Sequence, residues 1–208
     1  MRPTFREVSV TELSRLPAGL PVPEDDGAAA HLRGKPMPDL TFPSTSGHQV
    51  SFDQRQPART VLYVYPMTGR PDTPRPSGWD EIPGARGCTT EACDFRDHHS
   101  ELLDAGVAQV YGLSSQPSSY QREAVDRLNL PFDLLSDSDL SLAERLGLPT
   151  FQLEGSRLYK RLTLVISNSS IEHVFYPVFP PNEHAQQVLG WIGGHQRAIA
   201  RGDAPTPQ

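Results

Sequence analysis

Residues 87–106 read GCTTEACDFRDHHSELLDAG, and they lie between two apolar runs, RTVLYVYP at 59–66 and VAQVYGLS at 107–114. The first run is continuous rather than alternating, rich in β-branched and aromatic residues, and ends at Pro66, which suits a strand buried on both faces of a sheet. The second reads as another central strand. Between them Ala92, Phe95, His99 and Leu102 recur at helical spacing and Gly106 supplies a stop. The spacing predicts a helix from about Thr89 to Ala105.

Working outward, the same alternation continues. DLTFPSTSGHQVSF at 39–52 turns at a Ser-Gly pair and reads as a hairpin. SSYQREAVDRLN at 118–129 reads as a helix with Ser118 and Gln121 in capping-box register. LPFDLLSD at 130–137 reads as a short strand and DLSLAERLG at 139–147 as a helix closed by Gly147. SRLYKRLTLVI at 156–166 and SIEHVFYPV at 170–178 read as two strands about the turn SNSS. A last helix is expected from Pro181 or Asn182, with Ala185, Val188, Leu189 and Ile192 on one face. Strands alternating with helices, with antiparallel strands late in the chain, predict an α/β fold. Its mixed central sheet is flanked by helices, as in a thioredoxin-like sandwich.

The prolines mark the remaining segments. They number 21 in 208 residues, about twice ordinary usage. LPAGLPVPEDDGAAAHLRGKP at 16–36 has linker composition, after a stretch, SVTELSRL, fit for a short helix. Residues 68–87 hold four prolines and four glycines and leave little room for regular structure. Connections of that length are functional or disordered. The expected organisation is an N-terminal extension over 1–34, one thioredoxin-like domain over 35–200 carrying an insertion at 68–87, and a flexible tail over 201–208.

A net charge of −6, with no basic run, argues against a general nucleic-acid binder. No apolar stretch approaches the roughly 18 residues of a membrane span. The opening MRPTFREVSV lacks the apolar core of a secretory signal, so a cytoplasmic location is the expectation. In a reducing cytosol a close cysteine pair points to catalysis or metal binding rather than to a structural bridge.

The chain has two cysteines, Cys88 and Cys93. Their spacing is neither a thioredoxin-type CxxC nor a zinc-ribbon pair. Cys88 falls at the start of the predicted helix, where unpaired N–H groups and the helix dipole favour a thiolate. Residues five apart on an intact helix have Cα atoms roughly 8–9 Å apart, computed from helix rise and radius. A disulfide needs less than about 7 Å, so the pair closes only if the first turns unwind. Two other readings stand beside this one. Cys88, Cys93, His98 and His99 together offer four metal ligands, though at no common zinc spacing, and both cysteines could be small core residues. His99 reads as a helix-face residue over the core, and His98 as solvated.

The run GCTTEACDFRD, following a strand that ends in YP, resembles the peroxiredoxins of the bacterioferritin-comigratory or Q type. LPFDLLSD, YKRLTLVI and the opening hairpin MPDLTFPSTSGHQVSF resemble the same family in the same order, over about residues 36–195. The resemblance implies a thioredoxin-like fold and thiol peroxidase activity without a cofactor or metal. Cys88 matches the peroxidatic cysteine, which attacks hydrogen peroxide or an organic hydroperoxide. Cys93 matches the resolving cysteine that part of this subfamily carries in the same helix, with a thioredoxin-like dithiol as reductant. Arg161 matches the arginine that faces the active cysteine.

The chain also departs from the family. At the offsets where the family has a proline and a threonine before the cysteine, it has Glu81 and Ala85. Tyr65 and Pro66 are present, but 21 residues separate Pro66 from Cys88. Pro66 is a candidate to shield the thiolate, and Thr68 or Thr89 to replace the lost hydroxyl. Gly84 and Gly87 leave room for backbone N–H groups to approach a ligand. Trp79 is expected to anchor the insertion by packing on the surface, with a role at the peroxide entrance as the alternative. The loss of the threonine leaves open a slow redox sensor or binding module of the same fold. A protein disulfide reductase is the third reading, opposed by the wide cysteine spacing.

Overall fold

The computed structural model describes residues 16–53, 58–71 and 73–200. The helix expected in SVTELSRL and the tail at 201–208 lie outside the described residues, save for Leu16. In chain order the regular elements are β1 (Thr41–Pro43), β2 (Gln49–Ser51), β3 (Arg59–Val64), α1 (Cys88–Asp97), α2 (His99–Asp104), β4 (Val107–Ser114), α3 (Ser118–Leu128), β5 (Leu134–Ser136), α4 (Ser141–Leu146), β6 (Thr150–Leu153), β7 (Ser156–Tyr159), β8 (Leu162–Ser167), β9 (Ser170–Phe175) and α5 (His184–Ala200).

The central sheet has the order β5-β4-β3-β8-β9. β3, β4 and β5 run parallel, and β8 and β9 are antiparallel to their neighbours, so the sheet is mixed as expected. Residues of β3 alternate between two apolar layers. Leu62 and Val64 face a layer with Leu142, Ala143 and Leu146 of α4. Val61 and Tyr63 face a layer with Phe95 of α1, Leu102 of α2, Ala124 of α3 and Val188 of α5. Burial on both faces is why this run carries no polar alternation.

Several expectations need correction. The helix read over 89–105 is two, because the backbone leaves helical geometry at His98 (φ −104°, ψ 10°). His98 is not free in solvent: its Nδ1 lies 2.9 Å from the Asp94 carbonyl oxygen and 3.2 Å from the Asp94 carboxylate. Ser118 does not cap α3; Pro117 precedes the helix, and no side chain bonds its end. Gln121 is instead fully buried, accepting from the Tyr65 hydroxyl at 2.6 Å and donating to the Leu135 carbonyl at 2.9 Å. The single strand read over 156–166 is broken at Lys160 and Arg161. Its first part, β7, pairs with β6, a strand absent from the sequence reading, and its second part is β8. The break frees Arg161 from the ladder and turns its side chain inward.

The segment with linker composition packs closely against this core. Leu32 is fully buried in the layer that includes α4, beside Ala29 and Met37. Gly34 donates to the Ile171 carbonyl (2.8 Å), Ile171 to Lys35 (2.9 Å) and Met37 to Ser169 (2.8 Å). Residues 34–37 thereby cover the outer edge of β9, which would otherwise expose unpaired backbone groups. Leu32→Ala is therefore expected to cost about 2–5 kcal/mol, the range for a buried leucine truncation. Urea denaturation reads this, and a loss below about 0.5 kcal/mol would return the segment to the status of a linker.

Candidate active site around Cys88

α1 begins where the sequence required a glycine. Gly87 sits at φ 108°, in the left-handed region, and a Cβ there would lie 2.4 Å from Pro181 Cγ. Gly87 is the N-cap and Cys88 the first helical residue. The Cys88 sulfur is thus presented to the free N–H end of a ten-residue helix. The same sulfur lies 3.6 Å from the Ala85 carbonyl oxygen, and only 7% of the residue is exposed.

Arg161 reaches this sulfur from the break between β7 and β8. Its Nη2 donates to Cys88 Sγ at 3.1 Å. The same guanidinium donates to the carbonyls of Gly84 (3.3 Å), Ala85 (3.3 Å) and Arg86 (3.4 Å), just before the helix start. Its Nη1 donates to the Glu91 carboxylate. Arg161 is 3% exposed and Glu91 is fully buried. Burial alone would lower the arginine's pKa, but the Cys88 sulfur and Glu91 outweigh it and hold the guanidinium charged. For Glu91 the balance runs the other way. Burial pushes its carboxyl up to about 7, against the pull of Arg161, and its second oxygen has no hydrogen-bond partner.

A small cavity of about 20 Å³ opens beside the sulfur, lined by Cys88, Gly87 and Thr89 from the helix start and by Met67, Trp79 and Arg86 among residues of the insertion side. That volume admits about one water-sized group. Of the sequence candidates, Cys88, Gly87 and Thr89 line this cavity, and Arg161 touches the sulfur without being part of the lining. Thr89 is the threonine that lines the cavity. Thr68 does not; its N–H donates to the Gln116 side chain (2.7 Å), and its carbonyl accepts from the same amide (3.1 Å). Pro66 is buried but is not part of the lining. Trp79 lies inside rather than on the surface: it is 4% exposed, packs on Phe151 and Leu158, and lines the cavity as well.

Glu91 escaped the sequence reading, although a signal was available. It stands three residues after Cys88, on the same helix face, next to the buried Ala92 and Phe95. A carboxylate on that face needs a cation, and Arg161 is the one that reaches it. Cys93 lies further along α1, half-buried, and burial pushes its thiol up.

The chain matches the Redoxin family model over residues 32–189. It is 32% identical over 160 residues to the putative peroxiredoxin bcp of Coxiella burnetii, covering 76% of this chain and 95% of that protein. It is also 32% identical over 167 residues to the peroxiredoxin Bcp of Escherichia coli strain K12, covering 78% and 96%. Among solved structures, the peroxidoxin BcpB of Mycobacterium tuberculosis superposes with a TM-score of 0.63 at 25% identity, over 79% of this chain and 98% of that one. The bacterioferritin comigratory protein of Xanthomonas campestris, studied for alkyl peroxide reduction, shares the fold with a TM-score of 0.57 at 23% identity, over 76% and 96%. A thioredoxin-like sheet with a cysteine at a helix start and an arginine on its sulfur defines a thiol-based redox protein. The chain belongs to the Redoxin family and, within it, to the peroxiredoxins of the Bcp or Q type, which are thiol-dependent peroxidases.

The buried pair predicts a pH signature. Glu91 binds its proton more tightly in the folded chain than at its ordinary value of 4.5. Its contribution to stability is therefore complete below that value and is lost as pH rises through 7. Relative to Glu91→Gln, the wild-type chain is expected to lose stability between about pH 5 and about pH 8. Denaturant titrations across that interval measure it; a difference between the two proteins that stays flat would contradict the placement of Glu91.

Proposed function

We propose that the protein reduces hydrogen peroxide and organic hydroperoxides at Cys88, with Cys93 as the resolving thiol and a thioredoxin-like dithiol as the reductant. The observation that carries this reading is the 3.1 Å contact between the Arg161 guanidinium and the Cys88 sulfur at the start of a helix. The Cys88 thiolate attacks the terminal oxygen of the peroxide. The S–O bond forms as the O–O bond breaks, leaving Cys88 as a sulfenic acid, and the departing alkoxide or hydroxide takes a proton from water. Arg161 offers its fixed charge to the thiolate and to the developing negative charge on the leaving oxygen. Thr89 is the hydroxyl positioned to bond the peroxide where Ala85 has lost one.

Resolution then joins the two sulfurs. The Cys93 thiol condenses with the sulfenic acid, releasing water, and an external dithiol returns the disulfide to two thiols. Both cysteines lie in one unbroken stretch of α1, so its first turns must open. The contacts of the helix mark where the opening stops. Beyond Cys93, the Asp94 carboxylate accepts the Ala185 N–H at 2.6 Å and Phe95 stacks on Tyr63 at 4.6 Å. Arg96 donates to the Leu128 carbonyl at 2.8 Å. Before Cys93 the ties are the Thr90 hydroxyl on Gly87 and the pair of Glu91 with Arg161. Oxidation of the sulfur removes the anion that Arg161 faces and so frees residue 88 from that contact, while the 94–96 anchors hold. Such a cycle belongs in a reducing cytoplasm.

Cys88→Ser is expected to abolish peroxide-dependent NADPH oxidation in a coupled thioredoxin assay. Cys93→Ser should let a sulfenic acid accumulate on Cys88, visible by mass spectrometry after one equivalent of peroxide. Undiminished turnover in the first variant would reject the assignment of Cys88, and normal recycling in the second would reject Cys93 as resolver. A protein that oxidises only slowly and does not turn over would instead be the sensor suggested by the loss of the family threonine.

A further inference from the structure

The insertion does more than cover the sulfur. The chain as a whole carries a net charge of −6, yet the cavity beside Cys88 is lined by two arginines of the insertion, Arg75 and Arg86. Arg86 is largely buried, with its side chain 9% exposed, and Arg75 is more open at 30%. Among the described residues one carboxylate serves both: Asp80 Oδ1 lies 3.2 Å from Arg86 Nη1 and 3.9 Å from Arg75 Nε. Asp80 is itself half-exposed, where water screens its charge. Burial and the neighbouring charge of Arg75 both hold the Arg86 guanidinium below the usual arginine range. Two cations therefore converge on the opening with Asp80 as their one carboxylate partner among the described residues and the Cys88 sulfur as the other negative group beside Arg86.

The size of the opening decides what those cations can meet. A volume of about 20 Å³ takes the O–O end of a peroxide and little else. The rest of an organic hydroperoxide stays at the mouth, against the apolar surfaces of Met67 and Trp79 and within reach of the two guanidinium groups. Hydrogen peroxide would leave the arginines without a ligand, and a neutral alkyl hydroperoxide would leave them facing carbon.

We propose that the mouth of the Cys88 cavity is an anion-binding site, built from Arg75 and Arg86, that selects hydroperoxides carrying a carboxylate a few bonds from the O–O bond. Arg86 holds the carboxylate at the buried end and Arg75 closes over it from the open side. This selectivity presupposes the peroxidase chemistry at Cys88. It is separate from the role of Arg161, whose N–H groups are already committed to the sulfur, to Glu91 and to three carbonyls.

The test uses the full chain with a matched pair of substrates, β-hydroperoxyisovalerate and its methyl ester, which differ by one negative charge. For the wild-type protein the ratio of kcat/KM for the acid to that for the ester is expected to exceed about tenfold, as for one charge-assisted hydrogen-bonded contact. Raising the salt concentration should shrink that ratio. Arg75→Gln, at the more open position, should lower it several-fold, and Arg75→Gln with Arg86→Gln should bring it near one. A wild-type ratio near one overturns the proposal, as does a ratio that Arg75→Gln leaves unchanged. Hydrogen peroxide serves as the separate control. Wild-type protein that reduces it but shows no preference for the acid refutes the anion site alone. Wild-type protein that reduces none of the three refutes the peroxidase reading and the anion site with it.

Discussion

A buried guanidinium must be given both a counter-charge and an acceptor for each N–H it points inward, and at Arg161 that requirement organises the site. Its partners all come from one eight-residue stretch at 84–91: the carbonyls of Gly84, Ala85 and Arg86, the Cys88 sulfur, and Glu91 one turn into α1. Removing any one would leave a charge or a donor unpaired in a dry interior, at a cost far above that of a surface ion pair. The break between β7 and β8 exists to deliver this side chain. A strand that continued through Lys160 would hold residue 161 in the ladder. The positive φ at Gly87 serves the same end: it turns the chain into the helix start at Cys88 where Pro181 leaves no room for a Cβ on residue 87.

Around that centre the two least regular segments act as walls. The segment at 68–87 puts Trp79 and Ala85 into a small apolar cluster with Leu158, so its backbone carbonyls are fixed where Arg161 needs them. The N-terminal segment crosses the outside of the same region. Pro23 lies against Gly84, and Asp26 takes hydrogen bonds from Lys160 (2.6 Å) and from the Tyr176 hydroxyl (2.8 Å). Lys160 is the neighbour of Arg161 in sequence, so this strap braces the backbone that carries the arginine. These bonds hold the Asp26 carboxyl down at about 2.

Much of the fold was legible because burial on both faces leaves a plain mark. The runs at 59–66 and 107–114 had to be central strands, and Ala92 and Phe95 had to share a helical face. The placement of Cys88 at a helix start was legible from helix physics, and its contact with Arg161 from the resemblance. What escaped depended on long-range contacts. Gln121 looked like half of a capping box because its local spacing was right, but Tyr65 and the Leu135 carbonyl claimed its amide. SRLYKRLTLVI read as one strand because strand formers flank Lys160 and Arg161 on both sides, while the contacts that draw Arg161 inward, to Glu91 and Cys88, are distant in sequence. Leu32 sat in a stretch rich in proline and glycine, and nothing local indicates that the outer layer of the sheet lacked an apolar side chain there. Glu91 alone carried a readable warning, as a charge on a buried face.

The Arg161 guanidinium acts as a participant in the chemistry at the sulfur, and one rate constant tests this most directly. Trp79 shares the Cys88 cavity, so its fluorescence reports a single turnover with hydrogen peroxide. With Arg161→Gln the second-order rate constant for oxidation of Cys88 is predicted to fall by about a hundredfold or more, as when a preorganised donor to a developing oxyanion is lost. A folded Arg161→Gln protein whose Cys88 reacts as fast as that of the wild type would contradict it.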